Sequence, residues 1–329
     1  MTEPGIMIDG HARSVRYLRL SVTDRCDLRC LYCRPAEGLP VMDRRDLLGA
    51  DELILVGRAA ASCGVRKIRL TGGEPLLRRD LEGIVAGLGA IPGIASLQLT
   101  TNGMRLAGLA DRLAAAGLDG VNVSIDSLDP ERFAAITRGG DLEACLAGIA
   151  AARAAGLNVK LNMVVMGGVN DHEMVPMVER FCGDSLAVRF IEYMPTAGPA
   201  RAPGSQVSAE IMLAILGARF HLSPMPAEPL AGPALRYGIA GMPGRVGLIA
   251  PLSRHFCADC NRLRVTAEGR VRSCLFHAED GDLRPWIAAQ DVAGIAAELR
   301  RAVAEKPSGH DWAPEGNFVG DVLMSRTGG

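Results

Sequence analysis

From about residue 14 to 192, short β-branched or apolar runs alternate with longer Ala- and Leu-rich stretches, and this alternation constrains the fold more than any other feature. It predicts strands over 15–22, 65–71, 94–100, 120–125, 158–165 and 186–191. Helices are predicted near 50–63, 78–90, 106–116, 130–137, 142–155 and 171–182. Start signals agree locally: Asp129-Pro130-Glu131 offers an N-cap, a proline at the first helical position and an acid in the first turn. Strands separated by helix-length connections are parallel, with each helix as a crossover. Six repeats of this kind form a barrel or partial barrel, or an open doubly wound sheet, and periodicity does not choose between them.

The texture changes after residue 192. The segment 195–206 (PTAGPARAPGSQ) reads as a loop, Ser208-Ala-Glu opens a short helix, and 223–233 contains four prolines. The runs 235–240, 245–250, 262–267 and 270–274 read as short strands, with a hairpin signal at Glu268-Gly269 and one helix near 290–304. A boundary near 220–235 is expected, dividing the chain into residues 1–230 and 231–329. The Gly- and Pro-rich tail, 305–329, ends in Gly328-Gly329 and reads as poorly packed. No apolar run approaches the ~18 residues that span a bilayer, and Met1–Gly10 is too mixed and acidic for a secretory signal. Lys plus Arg (36) nearly balance Asp plus Glu (37), which gives no global case for a nucleic-acid or membrane partner. A soluble, cytoplasmic, globular protein is expected.

The nine cysteines are odd in number and lack an export signal, which argues against a disulfide framework. Six of them form two groups: Cys26, Cys30 and Cys33 as C-x3-C-x2-C, and Cys257, Cys260 and Cys274 as C-x2-C-x13-C. Cys63, Cys145 and Cys182 lie in helix-like segments and read as small core residues. Three thiolates on a loop leaving the first strand suit a polynuclear iron–sulfur centre whose fourth iron stays open. The competing reading is zinc completed by a distant ligand, although the spacing fits zinc poorly. For the second group zinc is the sharper rival, since His277 or His255 would complete a closed Cys3His site.

Charges inside the strands need a further explanation. Parallel strands are buried on both faces and normally read as apolar. Here Arg19, Lys67, Arg69, Lys160 and Arg189 interrupt the predicted strands, and Arg262 and Arg264 share one face of a later one. A single such residue would be a strand-end charge reaching solvent. Together they call for a strongly anionic ligand, with guanidinium forks suited to phosphate oxygens. No G-x-x-x-x-G-K-[ST] loop is present, so side chains would have to hold any triphosphate.

The segment LRLSVTDRCDLRCLYC (18–33) resembles the cluster motif of radical S-adenosylmethionine enzymes, and Thr71-Gly72-Gly73-Glu74-Pro75 resembles their cosubstrate-binding strand end. That likeness implies a partial (β/α)6 TIM-like barrel, here followed by a smaller C-terminal α+β domain. Cys260-Asn261-Arg262-Leu263-Arg264 within the second cysteine group and the terminal Gly-Gly narrow the resemblance to the MoaA-type GTP 3′,8-cyclases of molybdenum cofactor biosynthesis, over nearly the whole chain.

Carried over position by position, the resemblance implies two [4Fe–4S] clusters, held by Cys26, Cys30 and Cys33 and by Cys257, Cys260 and Cys274. Tyr32, Gly73, Glu74, Ser124 and Met194 would contact S-adenosylmethionine. Arg19, Lys67, Arg69, Thr100, Lys160, Arg189, Arg262, Leu263 and Arg264 would bind GTP, and Gly328 and Gly329 would reach into the barrel during catalysis. The implied reaction abstracts the C3′ hydrogen of GTP with a 5′-deoxyadenosyl radical and gives 3′,8-cyclo-7,8-dihydro-GTP. Implied partners are a flavodoxin- or ferredoxin-type electron donor and a downstream cyclic pyranopterin monophosphate synthase, with the chain a monomer or homodimer. The sequence departs from the family at Asp27, at Thr327 and in its longer 195–206 loop. The rival functions are a peptide-modifying radical enzyme and a non-redox zinc-containing binding module.

Overall fold

The computed structural model describes residues 5–194, 204–228, 230–277 and 279–310. The expectations placed on Gly328, Gly329 and most of the 195–206 loop fall outside these residues. All six predicted strands form: β1 (Tyr17–Ser21), β2 (Lys67–Thr71), β3 (Ser96–Thr101), β4 (Gly120–Ser124), β5 (Asn158–Gly167) and β6 (Ala187–Glu192). The intervening helices are α1 (Ala50–Ser62), α2 (Leu81–Gly89), α3 (Ala110–Ala115), α4 (Pro130–Thr137), α5 (Leu142–Ala154) and α6 (Met174–Cys182). The α4 start follows its sequence signal, with the Asp129 carboxylate accepting from Arg132 N at 2.7 Å.

Neighbouring strands from β1 to β6 pair in parallel and in sequence order. Along each, one set of side chains packs under the helices, as with Leu18, Leu20, Ile68, Leu70, Leu97 and Leu99, all fully or almost fully buried. The other set faces inward, because strand side chains alternate with period two. Cys63, Cys145 and Cys182 belong to the apolar layer, as expected of small core residues.

The C-terminal strands are β7 (Leu222–Met225), β8 (Leu235–Ile239), β9 (Met242–Ile249), β10 (Arg262–Val265), β11 (Arg270–Arg272) and β12 (Gly281–Asp282). They add to the same sheet rather than building another. β9 pairs in parallel with β6 at one edge, and β10 pairs in parallel with β1 at the other. The exposed backbone of an open parallel sheet is thus covered on both sides, by β8 and β7 beyond β9 and by β11 and β12 beyond β10. The 250–261 connection consequently runs from one edge of the parallel array to the other, carrying Cys257 and Cys260 with it. The strand at 222–225 has no counterpart in the sequence reading. It contains Pro224 and stands at the rim of the sheet, where a missing N–H costs no ladder bond. The later helices are α7 (Ala209–Gly217), α8 (Arg284–Ala288) and α9 (Val292–Ala304), with α9 packing on α1.

Candidate active site

The inward-facing side chains line a cavity of about 370 Å³. Strand register stacks them in layers. Arg264, Arg19, Arg69 and Gln98 are successive partners across β10, β1, β2 and β3, and Arg262, Tyr17 and Lys67 form the adjacent row. Thr100, Asn122 and Lys160 are paired across β3, β4 and β5, and Asn162 with Arg189 across β5 and β6. The expected GTP-binding residues Arg19, Lys67, Arg69, Thr100, Lys160, Arg189, Arg262 and Arg264 therefore share one cavity. Leu263 does not line it: the alternation that turns Arg262 and Arg264 inward sends Leu263 into the apolar core, fully buried.

Concentrating these cations has an electrostatic cost. Burial, followed by repulsion from Arg189 and Lys67, pulls Lys160 down to about 8. Burial, followed by repulsion from Arg69, pulls Arg189 down to about 10. Glu228 pairs with Arg236 at 2.5 Å and Arg245 at 2.9 Å at the cavity wall and offsets only part of the repulsion on Lys67, Lys160 and Arg189. Asn122 Oδ1, Asn162 Oδ1 and Arg264 Nη1 are buried without a hydrogen-bond partner among the described residues. Orphaned polar atoms of this kind are costly to bury, and here they line the cavity. A polyanion entering it would relieve the repulsion and take up the orphaned donor.

Tyr17 was missed by the sequence reading, although it stands two residues before Arg19 and so on the same face. Its hydroxyl accepts from Arg69 Nε, and Lys67 Nζ lies 5.0 Å from its ring centroid. Burial alone would push this phenol up, but Arg69, Arg19 and Lys67 outweigh it and hold Tyr17 at about 7. As pH rises through 7 the phenol loses its proton and places a negative charge beside the cation row. Anion binding is expected to weaken over that range, and to weaken again as Lys160 discharges near 8. Tyr17→Phe is expected to abolish the first step of a GTP-affinity profile between pH 6 and 9 and keep the second. An unchanged two-step profile in the variant would contradict the assignment.

Cys26, Cys30 and Cys33 sit on the loop after β1 and line the same cavity. Gly72 and Gly73 let that loop close onto the end of β2. Gly73 N donates to Thr23 O at 2.8 Å and Glu74 N to Arg25 O at 2.6 Å. A Cβ on Gly72 would lie 2.2 Å from Thr23 O, and one on Gly73 equally close to Arg25 O. Gly72 also has φ +140°, which side-chain-bearing residues rarely adopt. Gly73→Ala is expected to cost about 1–3 kcal/mol through overpacking. Because the displaced backbone leads directly into Cys26, iron content after reconstitution should fall with the thermal midpoint. Full iron loading in a destabilised variant would separate the two.

Glu74 lines the cavity, yet its carboxylate is committed to the fold, accepting from Leu76 N, Thr101 Oγ1 and Asn102 N at 2.7–2.9 Å. Burial pushes it up to about 7 despite these donors. Tyr32 donates its hydroxyl to Asp126 Oδ2 at 2.7 Å, which fixes its ring beside Cys30 and Cys33. Ser124 and Met194 line the same end.

Cys257, Cys260 and Cys274 also face this cavity. Burial raises the Cys260 thiol, but Arg262 and Lys306 more than offset it and settle the group at about 6, within the range of a ready metal ligand. Of the two histidines that could complete a zinc site, His277 is exposed and does not line the cavity. His255 does approach Cys257: with His310 the three place ligating atoms within 4.8 Å of one another, and His255 Nδ1 lies 3.2 Å from His310 Nε2. His310 carried no sequence signal. Both cysteine trios are free thiols turned into one cavity, a donor set that fits two thiolate-held iron–sulfur clusters.

A family model described as the Radical SAM superfamily matches residues 20–181, and one described as Molybdenum Cofactor Synthesis C matches residues 186–312. The chain is 45% identical over 305 residues to a GTP 3′,8-cyclase of Geobacter sulfurreducens, covering 92% of this chain and 94% of that one. It is 45% identical over 327 residues to a GTP 3′,8-cyclase of Heliobacterium modesticaldum, covering 98% and 100%. Among solved structures, Streptococcus suis SuiB bound to S-adenosylmethionine aligns with a TM-score of 0.60 at 11% identity, over 88% of this chain and 69% of that one. The same protein bound to its precursor peptide SuiA aligns with a TM-score of 0.60 at 12% identity, over 88% and 68%. Identities this low bear on fold alone.

Proposed function

The chain belongs to the GTP 3′,8-cyclase family of radical S-adenosylmethionine enzymes, and we propose that its row of inward-facing cations is the binding site for the GTP triphosphate. As a member it catalyses the first step of molybdenum cofactor biosynthesis, converting GTP to 3′,8-cyclo-7,8-dihydro-GTP with S-adenosylmethionine and two [4Fe–4S] clusters. The observation that carries the site assignment is the convergence of Arg19, Lys67, Arg69, Lys160, Arg189, Arg262 and Arg264 on one cavity with both cysteine trios.

Cys26, Cys30 and Cys33 would hold the first cluster, beside Tyr32, Gly73, Ser124 and Met194 as contacts for S-adenosylmethionine. For Glu74 the contact would be through its backbone, since the carboxylate is already engaged by three donors. When bound, this pair supplies one-electron reductive cleavage and hydrogen abstraction from C3′ of the substrate. The chain's own work is placement. The basic rows anchor the phosphates, Asn122 beside Lys160 and Asn162 beside Arg189 offer acceptors, and together they position the reacting carbon. Cys257 and Cys260, on the connection that crosses the sheet's open side, would hold the second cluster together with Cys274 after β11, and the guanine base would meet it there. Leu263 would contribute only main-chain atoms.

The reductant would be a flavodoxin- or ferredoxin-type carrier, and the product would pass to cyclic pyranopterin monophosphate synthase. Gly328 and Gly329 would enter the cavity from the tail. No helix among the described residues is long and apolar enough to cross a membrane. The likeness to SuiB bears on fold and gives no weight to a peptide substrate, and a peptide-modifying reading offers no role for the basic rows.

Equilibrium binding to cluster-loaded protein tests the anchor. Affinity is expected to fall at least about tenfold from GTP to GDP and again to GMP, since each lost charge-assisted phosphate contact is worth about 1.5–3 kcal/mol. Equal affinity for GTP and GMP would remove the triphosphate from the basic rows.

A further inference from the structure

A second concavity, lined by none of the residues of the first, adjoins the start of the first cysteine loop. Its walls are the 22–25 segment that leads into Cys26, the 44–49 segment, the start of α2 and the start of α3. Six arginines line it: Arg25, Arg44, Arg78, Arg79, Arg105 and Arg112, against two acids, Asp80 and Glu82. Arg78 is paired with Asp80 and Arg112 with Glu82, while Arg105 reaches Asp27 beside Cys26. Arg44 and Arg79 are exposed. The Nε of Arg25, one residue before Cys26, is buried without a hydrogen-bond partner among the described residues. Leu47, Leu77 and Leu109 supply a half-buried apolar floor.

A small apolar centre whose rim keeps a net positive excess, with Arg44 and Arg79 exposed and outside these ion pairs, suits a transient protein contact, and electrostatic steering speeds such encounters. The barrel cavity does not need this patch, since its own cations face inward. What distinguishes the patch is its position. Its wall includes Arg25, the residue before Cys26, while it shares no lining residue with the substrate cavity, so it is a direct protein route to the first cysteine group.

We propose that this arginine-rimmed groove is the docking face for an acidic one-electron carrier protein of ferredoxin type. The step is a simple exchange: the carrier's cluster is oxidised by one electron, the cluster on Cys26, Cys30 and Cys33 is reduced by one electron, and no proton or bond is transferred. The proposal rests on the reading that the first trio holds a redox cluster and that an acidic carrier supplies its electron.

The test uses cluster-loaded protein and a reduced, acidic [2Fe–2S] ferredoxin as the probe, with cluster reduction followed by stopped-flow absorbance. Arg44→Glu/Arg79→Glu is expected to lower the second-order rate at least about tenfold at low salt, in line with the loss of steering. Arg44→Lys/Arg79→Lys is expected to keep it, because charge rather than guanidinium geometry is at work. Raising ionic strength should slow the wild type toward the rate of the Glu variant. Turnover driven by dithionite, which needs no docking face, should be the same in all three proteins.

Ferredoxin reduction of the Glu variant at the wild-type rate would overturn the proposal. So would a parallel loss of dithionite-driven turnover, which would place the groove in the enzyme's own machinery. If ferredoxin fails to reduce wild-type protein that turns over with dithionite, the donor class falls and the docking face with it. Wild-type protein inactive with dithionite as well would instead sink the functional reading beneath both.

Discussion

Cys274→Ala is expected to separate the two halves of the reaction. The variant should keep iron on Cys26, Cys30 and Cys33, cleave S-adenosylmethionine to 5′-deoxyadenosine within a fewfold of the wild-type rate, and form essentially no cyclised nucleotide. The reason is separate ligand sets. The first trio sits on the loop after β1 and is braced by Gly72 and Gly73, whereas Cys274 follows β11, two strands from β1 across β10. Neither trio shares a ligand with the other, so removing one thiol at the C-terminal site leaves the first intact. Cys30→Ala should do the reverse and abolish both products, because reductive cleavage depends on the first site. Measured as the two products in parallel, a Cys274→Ala protein that cyclises GTP at more than about a tenth of the wild-type rate would remove the second trio from the mechanism.

Arg264→Ala is expected to produce the largest single loss among the basic residues. Arg264 is almost fully buried, stands in register with Arg19 and, through it, with Arg69, and leaves Nη1 without a partner among the described residues. Burial, with repulsion from Arg19 and Arg262, holds its affinity for protons well below the usual guanidinium range. Arg264 therefore has most to gain from an incoming anion. Losing one buried charge-assisted contact worth about 1.5–3 kcal/mol should raise KM for GTP by about one to two orders of magnitude. S-adenosylmethionine affinity should be unmoved, because its expected contacts lie on other strands. Arg264→Lys should restore part of the affinity, since an ammonium keeps the charge but not the two-pronged geometry. A variant with unchanged KM and lowered kcat would relocate Arg264 from substrate binding to the reacting end of the cavity.

Charge inside strands that should be apolar made much of this site legible in the sequence. It singled out Arg19, Lys67, Arg69, Lys160 and Arg189, while period-two alternation put Arg262 and Arg264 on one face, and all seven line one cavity. Period-two alternation applied to the first six strands as well would have found Tyr17, Asn122 and Asn162, which line the cavity too. They were overlooked because uncharged polar residues do not stand out in an apolar run. Glu74 shows the opposite limit. Its position followed from the Gly-Gly-Glu-Pro segment, but nothing local says that its carboxylate is satisfied by Thr101 and Asn102 from the next strand.

Sheet topology was least legible at the C-terminal end. The runs 235–240 and 262–267 were recognisable as strands, yet strand propensity does not say which edge a strand will join. That choice depends on the free edges left by β1 and β6, which exist only once the first six strands have formed. The same long-range dependence brings His310 to His255 and Cys257 across more than fifty residues, where no spacing rule reaches.

The account's central claim is that one barrel cavity joins the radical-generating site to a GTP anchor. Anaerobic reaction of the cluster-loaded chain with S-adenosylmethionine, dithionite and GTP, read by mass spectrometry, tests it most directly. The expected result is 5′-deoxyadenosine together with a nucleotide of unchanged GTP mass and altered retention. Formation of 5′-deoxyadenosine with GTP untouched would contradict the claim, leaving a radical enzyme whose cation-lined cavity serves another substrate.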